Sequence, residues 1–273
     1  MTLNEAIARL VEAGIVSAEY DARELFRVYG ATDAYGRISR TEEVCSPELE
    51  AAIMRRADRE PLQYIIGSVG FYREEYKVTP DVLIPRADTE HLVDYAVKHI
   101  PRGEKFIDLC TGSGCVAIST LKNTVDTTAV AVDISAAALA VAEENSRING
   151  VSDRLTLIEA DVLSGIDTGK EKYYAVLSNP PYVTEGAYAA LEPEIYREPR
   201  GAFVGGEDGG DFYRAIVPTA KEIIKPEGFI ALEIGYDQKE LLLGIAGAED
   251  MELEIIKDYS GNDRVAILRF KND

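Results

Sequence analysis

The chain has 273 residues, of which 46% are hydrophobic, and a formal net charge of −19 at pH 7. This length suits one large domain with a smaller one beside it, and the composition supports a sizeable core. The strong negative charge is the opposite of the basic surface that holds DNA or RNA, so free nucleic acid is disfavoured as a substrate.

The rare residue types exclude other classes of protein. Cys45, Cys110 and Cys115 show no paired spacing, which is typical of a reduced, intracellular chain. His91 and His99 stand outside any Cys/His cluster, so we expect ordinary helix-face residues and no metal site. The pattern contains neither a signal peptide nor an apolar run long enough to cross a bilayer, which predicts a cytoplasmic protein without membrane contact.

Apolar residues at helical spacing predict a small helical bundle over residues 1–62. Gly30 is a predicted helix stop. Ser46 and Pro47 resemble an N-cap followed by a first-turn proline, and so predict a helix start. Two interpretations of this bundle remain open: it contacts a macromolecular partner, or it only packs against the main domain.

Residues 63–80 change character. Tyr64–Ile66, Tyr76 and Val78 are strand-like and have Gly67 and Gly70 nearby. We therefore predict a β-hairpin that links the bundle to a main domain over residues 81–273.

The main domain opens with a strand, a glycine turn and a helix. Lys105–Leu109 is the predicted strand, and the turn and its flank give the predicted cofactor-binding residues Asp108, Cys110, Thr111, Gly112, Ser113 and Gly114. This order is typical of a Rossmann-type βαβ unit. Asp133 ends the second strand nineteen residues after Gly114, an offset that suits a carboxylate bound to ribose hydroxyls. Asp161 follows the third strand, where it can receive the amino group of an adenine.

Two nucleoside ligands fit this pattern. The run Gly112–Ala117 satisfies the G-x-G-x-x-G/A form of NAD enzymes, which predicts a dehydrogenase. S-adenosylmethionine has the same adenosine but carries positive charges, and the carboxylate of Asp108 would be a favourable neighbour for them. Against the dehydrogenase, this half of the chain contains no histidine for hydride-transfer chemistry. A doubly wound domain without any nucleoside is the third possibility.

The run Tyr174–Leu177 predicts a buried strand, and Asn179 follows its carboxyl end, where ligands bind in open α/β sheets. Pro180 and Pro181 have no N–H, so the backbone there can only accept hydrogen bonds. The Asn179 side-chain oxygen and the Pro180 carbonyl then form a pair of acceptors suited to a planar NH2 group, which Tyr182 can cover. The pattern predicts a site that recognises an amide or an amino-heterocycle, although a plain loop turn has the same letters.

The remaining segments complete the fold prediction. The glycine-rich run Val204–Asp211 is either a lid over the site or a solvated turn. Further strands near 228–235, 253–256 and 265–270 bring the total to seven, and the last two form a hairpin. We predict an α/β, Rossmann-like fold whose seven-stranded sheet is mostly parallel with one antiparallel strand.

A series of motifs along most of the chain resembles the release-factor glutamine methyltransferases of the HemK/PrmC family. The matching segments are Glu60–Ile65, Val82–Arg86, Asp108–Gly114, Ala131–Ser135 with Ala138 and Leu139, Ser178–Tyr182, Glu198–Pro199, Gly205–Gly206, Glu233–Gly235 and Gly261–Val265. The Asn-Pro-Pro-Tyr motif alone is shared with enzymes that methylate amino groups of DNA and RNA, but the whole series is more specific.

The resemblance implies a class I methyltransferase fold and N5-methylation of the glutamine in the Gly-Gly-Gln loop of class I peptide-chain release factors. S-adenosylmethionine would be the donor and S-adenosylhomocysteine the product. The family's cofactor contacts fall on Thr111, Gly112, Gly114, Asp133, Asp161, Val162 and Asn179. Its substrate contacts fall on Asn179, Pro180, Pro181 and Tyr182, of which Asn179, Pro180 and Tyr182 would be catalytic. The bundle would be the release-factor-binding module of a monomeric enzyme.

The chain departs from the family pattern at several positions. Cys110 replaces a usual glycine, Val162 replaces a frequent large aromatic residue, and Ala87–Asp88 replaces a usual Pro-Glu pair. These departures bear on adenine packing and leave the Asn179 motif intact. The competing hypotheses are a methyltransferase that acts on adenine or cytosine amino groups, a dehydrogenase, and a silent binding module.

Overall fold

The computed structural model describes residues 1–30, 32, 36–165 and 171–271. The chain divides into two units by its contacts. The first comprises Met1–Ser68 together with the distant segment Glu192–Arg197, and the second comprises Val69–Leu191 and Glu198–Asp273.

The first unit is helical. Its helices are α1 (Leu3–Glu12), α2 (Ala18–Tyr29), α3 (Pro47–Ala57) and α4 (Leu62–Ile66). Helix α2 ends at Gly30, as predicted, and Ser46 caps α3 by accepting a hydrogen bond from the Leu49 N–H at 3.1 Å. The buried faces of the helices meet in one apolar core, which includes Leu10, Phe26 and Ile53. The predicted helical character of this region is confirmed.

The predicted strand character of Tyr64–Ile66 is wrong, because these residues belong to α4. A run of three apolar residues is too short to distinguish a strand from a buried helical turn by periodicity. Leu62 and Ile65, one helical turn apart, are both buried in the helical core, and Gly67 ends the helix with φ of 86°. The hairpin itself follows as a separate two-stranded sheet of β1 (Ser68–Phe71) and β2 (Glu74–Lys77).

The second unit contains a seven-stranded sheet. Its strands are β3 (Lys105–Leu109), β4 (Thr128–Asp133), β5 (Leu155–Glu159), β6 (Tyr173–Ser178), β7 (Ile224–Glu233), β8 (Met251–Lys257) and β9 (Asp263–Phe270). They lie in the order β5-β4-β3-β6-β7-β9-β8, and β9 is antiparallel to both of its neighbours. The prediction of seven strands with one antiparallel strand is confirmed.

Helices cover both faces of this sheet. They are α5 (Glu90–His99), α6 (Cys115–Asn123), α7 (Ala136–Ile148), α9 (Asp211–Ile223) and α10 (Lys239–Ala248), while the short α8 (Glu185–Tyr188) lies in the loop after β6. Successive strand residues face opposite cores: Phe106 packs with Leu92 of α5, and Ile107 packs with Ile216 of α9. Burial on both faces explains why the central strands are continuous apolar runs.

The order of the strands in the sheet predicts where a ligand binds. The chain proceeds outward from β3 to β4 and β5 and then returns to β6, which pairs with β3 on its other side. Ligands of open α/β sheets bind outside the carboxyl ends of the strands at such a switch point. Cys110–Gly114 follows β3, and Asn179–Tyr182 follows β6, so the topology brings the two predicted motifs together.

Candidate active site

Asn179 lies just beyond β6 at the centre of the sheet. The preceding Ser178 is buried and its hydroxyl donates to the Leu109 carbonyl of β3 at 2.6 Å, which fixes the end of the strand. The Asn179 Nδ2 atom donates to the Thr89 hydroxyl oxygen at 3.1 Å. Because the amide nitrogen is held in this way, Oδ1 remains the acceptor that Asn179 can offer to a ligand.

The glycine-rich segment packs against the backbone of the Asn179 motif. The Val183 N–H donates to the Phe203 carbonyl at 2.8 Å, and the Gly205 N–H donates to the Val183 carbonyl at 2.9 Å. A Cβ atom added at Gly205 would lie 2.4 Å from the Pro181 carbonyl oxygen, and one at Gly209 would lie 2.3 Å from that of Tyr182. These glycines therefore permit a close backbone approach that holds the motif, a role that neither the lid nor the solvated-turn interpretation describes.

Tyr182 is held at both ends. Its hydroxyl donates to Glu233 Oε1 at 3.1 Å, and its backbone carbonyl accepts from Gln238 Nε2 at 3.0 Å. Gln238 is fixed in turn, because its Oε1 accepts from the Gly235 N–H at 2.8 Å and from the Tyr213 hydroxyl at 2.9 Å. The tyrosine ring is thus set by groups at the carboxyl end of β7.

Glu233 is a buried acid beside the Asn179 motif to which sequence reasoning assigned no role. It is 2% exposed at the end of β7, and burial raises its pKa to about 7 against the opposing effects of the Arg264 charge and the Tyr182 hydrogen bond. An acidic residue directly after the apolar run Phe229–Leu232 was the available signal, since a buried charge requires partners. The sequence around Thr89 contained no comparable feature from which its contact with Asn179 could have been predicted.

The turn after β3 is shaped by backbone conformation. Cys110 has φ of 59°, in the left-handed region that favours glycine, and the Thr111 N–H donates to the Val132 carbonyl of β4 at 3.0 Å. A cysteine in this conformation costs on the order of 1 kcal/mol relative to glycine. This left-handed conformation explains why the family that the motifs resemble usually has glycine at this position, where this chain has Cys110.

Asp108 lies beneath the turn and is almost completely buried. Its Oδ2 atom accepts from the Thr111 hydroxyl at 2.6 Å and from the Ala117 N–H at 3.3 Å. Burial raises its pKa to about 7, and these hydrogen bonds oppose the increase. Asp108 supports the turn from below.

Asp133 and Asp161 line the same cavity. Asp133 accepts the Gly112 N–H at 2.8 Å on one carboxylate oxygen and the Ser135 N–H at 3.0 Å on the other. Asp161 accepts the Leu163 N–H at 2.9 Å. Each carboxylate retains lone pairs for a ligand, because two oxygens offer about four acceptor positions.

A cavity of about 550 Å³ connects these groups. It contains seven of the predicted site residues: Cys110, Gly112, Asp133, Asp161, Val162, Asn179 and Pro181. Six others lie outside its lining, namely Asp108, Thr111, Ser113, Gly114, Pro180 and Tyr182. The ligand-facing wall is thus formed by the first set, and the turn residues Asp108, Thr111, Ser113 and Gly114 lie behind it.

The size and lining of the cavity suit a nucleoside ligand. Its volume falls within the range of about 300–1,000 Å³ that is usual for small-molecule sites. Val82, Leu83, Val162 and Phe212 supply apolar walls, Asp133 supplies a carboxylate at the end of β4, and a Cβ atom at Gly112 would meet no atom within 4 Å. Among the residues that the structure describes, no group of three His, Cys, Asp or Glu side chains is placed to hold a metal ion.

Known families match both parts of the chain. The model described as "PrmC N-terminal domain" matches residues 2–67, and the model described as "Methyltransferase small domain" matches residues 88–200. The release factor glutamine methyltransferase of Geobacter sulfurreducens is 37% identical over 94% of this chain and 91% of its own. The enzyme of Moorella thermoacetica is 37% identical over 96% of this chain and 95% of its own. That of Caulobacter vibrioides is 38% identical over 97% of this chain and 93% of its own. The chain belongs to the release factor glutamine methyltransferase family.

Membership confirms the resemblance drawn from the motifs and makes the protein a methyltransferase, which excludes the dehydrogenase hypothesis. Solved structures agree at the level of the fold. A ribosomal protein L11 methylase from Lactobacillus delbrueckii subsp. bulgaricus has a TM-score of 0.52 at 18% identity, over 71% of this chain and 84% of its own. The hMettl16 catalytic domain, in complex with the MAT2A 3'UTR hairpin 6, has a TM-score of 0.57 at 14% identity, over 93% and 92%. At these identities the likeness shows a shared methyltransferase fold.

In the part of the chain that the structure describes, none of the helices has the length and apolar character that crossing a membrane requires.

Proposed function

We propose that this enzyme transfers a methyl group from S-adenosylmethionine to the side-chain amide nitrogen of the glutamine in the Gly-Gly-Gln loop of class I release factors. One observation carries the proposal. The amide of Asn179 lines the cavity at the centre of the sheet, with its nitrogen held by Thr89 and its oxygen left as an acceptor. A substrate nitrogen with two N–H groups requires acceptors of this kind.

The cavity residues divide into two sets. Asp133 would accept the ribose hydroxyls, Asp161 and Val162 would face the adenine, and Cys110 and Gly112 would line the turn beside the cofactor. Asp108, Thr111, Ser113 and Gly114 would hold that turn in place from behind. Asn179, Pro180, Pro181 and Tyr182 would receive the substrate side chain.

The chemistry requires activation of a poor nucleophile, because the lone pair of an amide nitrogen is delocalised into its carbonyl. When bound, S-adenosylmethionine supplies a methyl group on a sulfonium. Asn179 Oδ1 and the Pro180 carbonyl would hold the two N–H groups and direct the nitrogen lone pair toward that methyl carbon. These hydrogen bonds strengthen as the nitrogen becomes tetrahedral and positive, which stabilises the transition state more than the ground state. The substrate nitrogen would gain the methyl group and release one of its two protons to water.

The helical unit supports a protein substrate. We assign residues 1–62 to release-factor binding, residues 63–80 to a linking segment that contains the hairpin, and residues 81–273 to the methyltransferase domain. The match of residues 2–67 to the PrmC N-terminal model supports the first assignment. A net charge of −19 disfavours free nucleic acid as the substrate. A release factor as substrate implies action in the cytoplasm, and we expect a monomer there.

A methyl-transfer assay tests the substrate. The purified enzyme is incubated with methyl-labelled S-adenosylmethionine and a release factor that carries either Gln or Ala in its Gly-Gly-Gln loop. We expect label in the Gln protein alone, on one glutamine side chain by peptide mass spectrometry. Label in the Ala protein, or in RNA or DNA supplied instead, would contradict the proposal.

A further inference from the structure

The last hairpin of the sheet contacts the turn that carries Thr89. Thr89 ends the 3-10 turn Ala87–Thr89, and its hydroxyl oxygen accepts from Asn179 Nδ2 at 3.1 Å. One position earlier, Asp88 Oδ2 lies 3.2 Å from Nη2 of Arg264 in β9. Arg264 is therefore connected to the Asn179 amide through two consecutive residues of one short turn.

Arg264 is fixed by the turn between β8 and β9. Its Nη2 atom lies 3.1 Å from Asp258 Oδ2, and the two side chains are 12% and 4% exposed. The other carboxylate oxygen of Asp258 accepts from the N–H groups of Ser260 and Asn262, both at 2.9 Å. The Gly261–Val265 motif, which the cavity itself does not explain, thus holds the guanidinium in one place.

A ring contact joins the same two segments. The ring of Tyr259, in the turn between β8 and β9, lies 4.5 Å from the ring of His91 between centroids. His91 belongs to the first turn of α5, which begins directly after the Ala87–Thr89 turn. Tyr259 remains 92% exposed, so we expect the mostly buried Arg264 to supply the stronger restraint.

We propose that Arg264 is a positioning residue for methyl transfer. Through Asp88 it holds the turn that carries Thr89, and Thr89 binds the Asn179 amide nitrogen. This inference rests on the proposed function, in which Asn179 Oδ1 accepts an N–H group of the substrate glutamine. Arg264 lies outside the cavity lining, so its effect on the reaction passes through Thr89.

The ion pair between Arg264 and Asp88 affects position more than stability. The Asp88 side chain is 52% exposed, and ion pairs at such positions contribute little to the free energy of unfolding. The reaction is more sensitive, because a group misplaced by about 1 Å can cost about 10²-fold in rate. Loss of this pair therefore lowers kcat without a matching loss of stability.

The test is a double-mutant cycle in the full-length enzyme with a release-factor substrate. Arg264→Met removes the guanidinium and keeps a long unbranched side chain, and Thr89→Val removes the hydroxyl at nearly constant volume. The third protein combines both changes. For each protein we measure kcat, the affinity for S-adenosylmethionine by calorimetric titration, and the melting temperature.

Asp88→Ala removes the same ion pair from its other end while Arg264 keeps its contact with Asp258. Arg269→Met is the matched control. Arg269 is another arginine of β9, but its Nη1 atom lies 3.6 Å from Glu254 Oε2 and the residue lies outside the cavity lining.

We expect Arg264→Met and Asp88→Ala each to lower kcat by about tenfold, with cofactor affinity within about twofold of wild type. Thr89→Val lowers kcat by about tenfold or more. In the Thr89→Val background, Arg264→Met lowers kcat by less than about twofold further, because residues that act through one another are not additive. Arg269→Met keeps wild-type kinetics.

Wild-type kcat in Arg264→Met or Asp88→Ala would overturn the positioning role. So would a double variant whose loss of kcat is the product of the two single losses, since that result would show independent effects. If Arg264→Met does not fold, Asp88→Ala replaces it in the same cycle with Thr89→Val. Absence of methyl transfer to glutamine by the wild-type enzyme is a different result, which would reject the proposed function itself.

Discussion

The Asn179 side chain has one bonded end and one end available to a ligand, so its truncation separates catalysis from cofactor binding. For Asn179→Ala we expect kcat to fall by about 10²–10³-fold, the usual loss when one polar group that stabilises a transition state is removed. Cofactor affinity should stay within about tenfold, or about 1.4 kcal/mol. Methyl-transfer kinetics and calorimetric titration with S-adenosylmethionine measure the two effects.

Asn149→Ala provides the control, because it removes an amide of the same size whose nitrogen bonds to the Glu75 carbonyl at 3.0 Å, away from the cavity lining. Near-normal kcat in Asn179→Ala would refute the role of this side chain. Loss of cofactor affinity equal to the loss of kcat would assign Asn179 to binding instead.

Asp108 makes stability depend on pH. Because its pKa rises from 3.8 to about 7 on folding, the folded state holds the proton more tightly than the unfolded state. Its contribution to the free energy of unfolding is therefore complete below pH 3.8 and is lost as the pH rises through about 7. Asp108→Asn cannot ionise, so we expect its stability relative to wild type to be highest at about pH 8 and to lose about half of this advantage at about pH 5.5.

Urea unfolding of both proteins at the two pH values measures this difference. Glu233 shifts in the same direction, but it is present in both proteins and cancels in the comparison. A stability difference between the two proteins that does not change with pH would show that Asp108 has the same charge in the folded and unfolded states.

At the scale of elements, the strands and the turn after β3 were predictable because their signals are local. A short apolar run that ends in Cys110–Gly114 combines strand and turn chemistry within ten residues. The segment Tyr64–Ile66 was misassigned because its helical character comes from packing of Leu62 and Ile65 in the helical core. The role of Gly205 was hidden for a related reason: the Pro181 backbone that it approaches lies far away in the sequence.

The close approach of Gly205 gives a prediction about the whole motif. A Cβ atom there would lie 2.4 Å from the Pro181 carbonyl oxygen and 2.8 Å from Tyr182 Cα, so Gly205→Ala must displace the loop that carries Asn179. A displacement of about 1 Å can cost about 10²-fold in rate, and we expect a loss of kcat of that order. Overpacking should also lower the free energy of unfolding by about 1–3 kcal/mol.

Gly186→Ala is the matched control, because a Cβ atom at Gly186 meets nothing within 4 Å and its φ is not left-handed. It should retain wild-type kinetics and melting temperature. If Gly205→Ala matches it in both, the glycine-rich segment does not hold the motif.

At the scale of the whole molecule, the decisive contacts join residues that no local pattern connects. The Asn179–Thr89 and Tyr182–Glu233 hydrogen bonds span 90 and 51 positions of the chain. Arg56 reaches Glu194 across 138 positions. Periodicity and motif spacing report neighbours along the chain, so they placed Asn179 at the site but assigned no role to the residues that orient it.

Substitution of Arg56 can show whether Glu192–Arg197 belongs to the folding unit of the N-terminal helices. Its guanidinium bonds to the buried Asp21 at 2.7 Å and to Glu194 at 3.0 Å. Arg56→Leu would leave the buried Asp21 without a counter-charge and Glu194 with only Arg59 at 3.5 Å. Breaking a buried pair in this way costs about 3–5 kcal/mol. We expect hydrogen exchange to accelerate together in α2 and in residues 192–197, because both lose the same partner.

The adjacent Arg55 supplies the comparison. It pairs with Glu60 at the surface, where such pairs contribute about 0–1 kcal/mol, so Arg55→Leu should leave exchange nearly unchanged. Adding Asp21→Asn to Arg56→Leu removes the unpaired buried charge and should restore part of the lost stability. Faster exchange in α2 alone, with residues 192–197 unaffected, would show that the distant segment is not part of this unit.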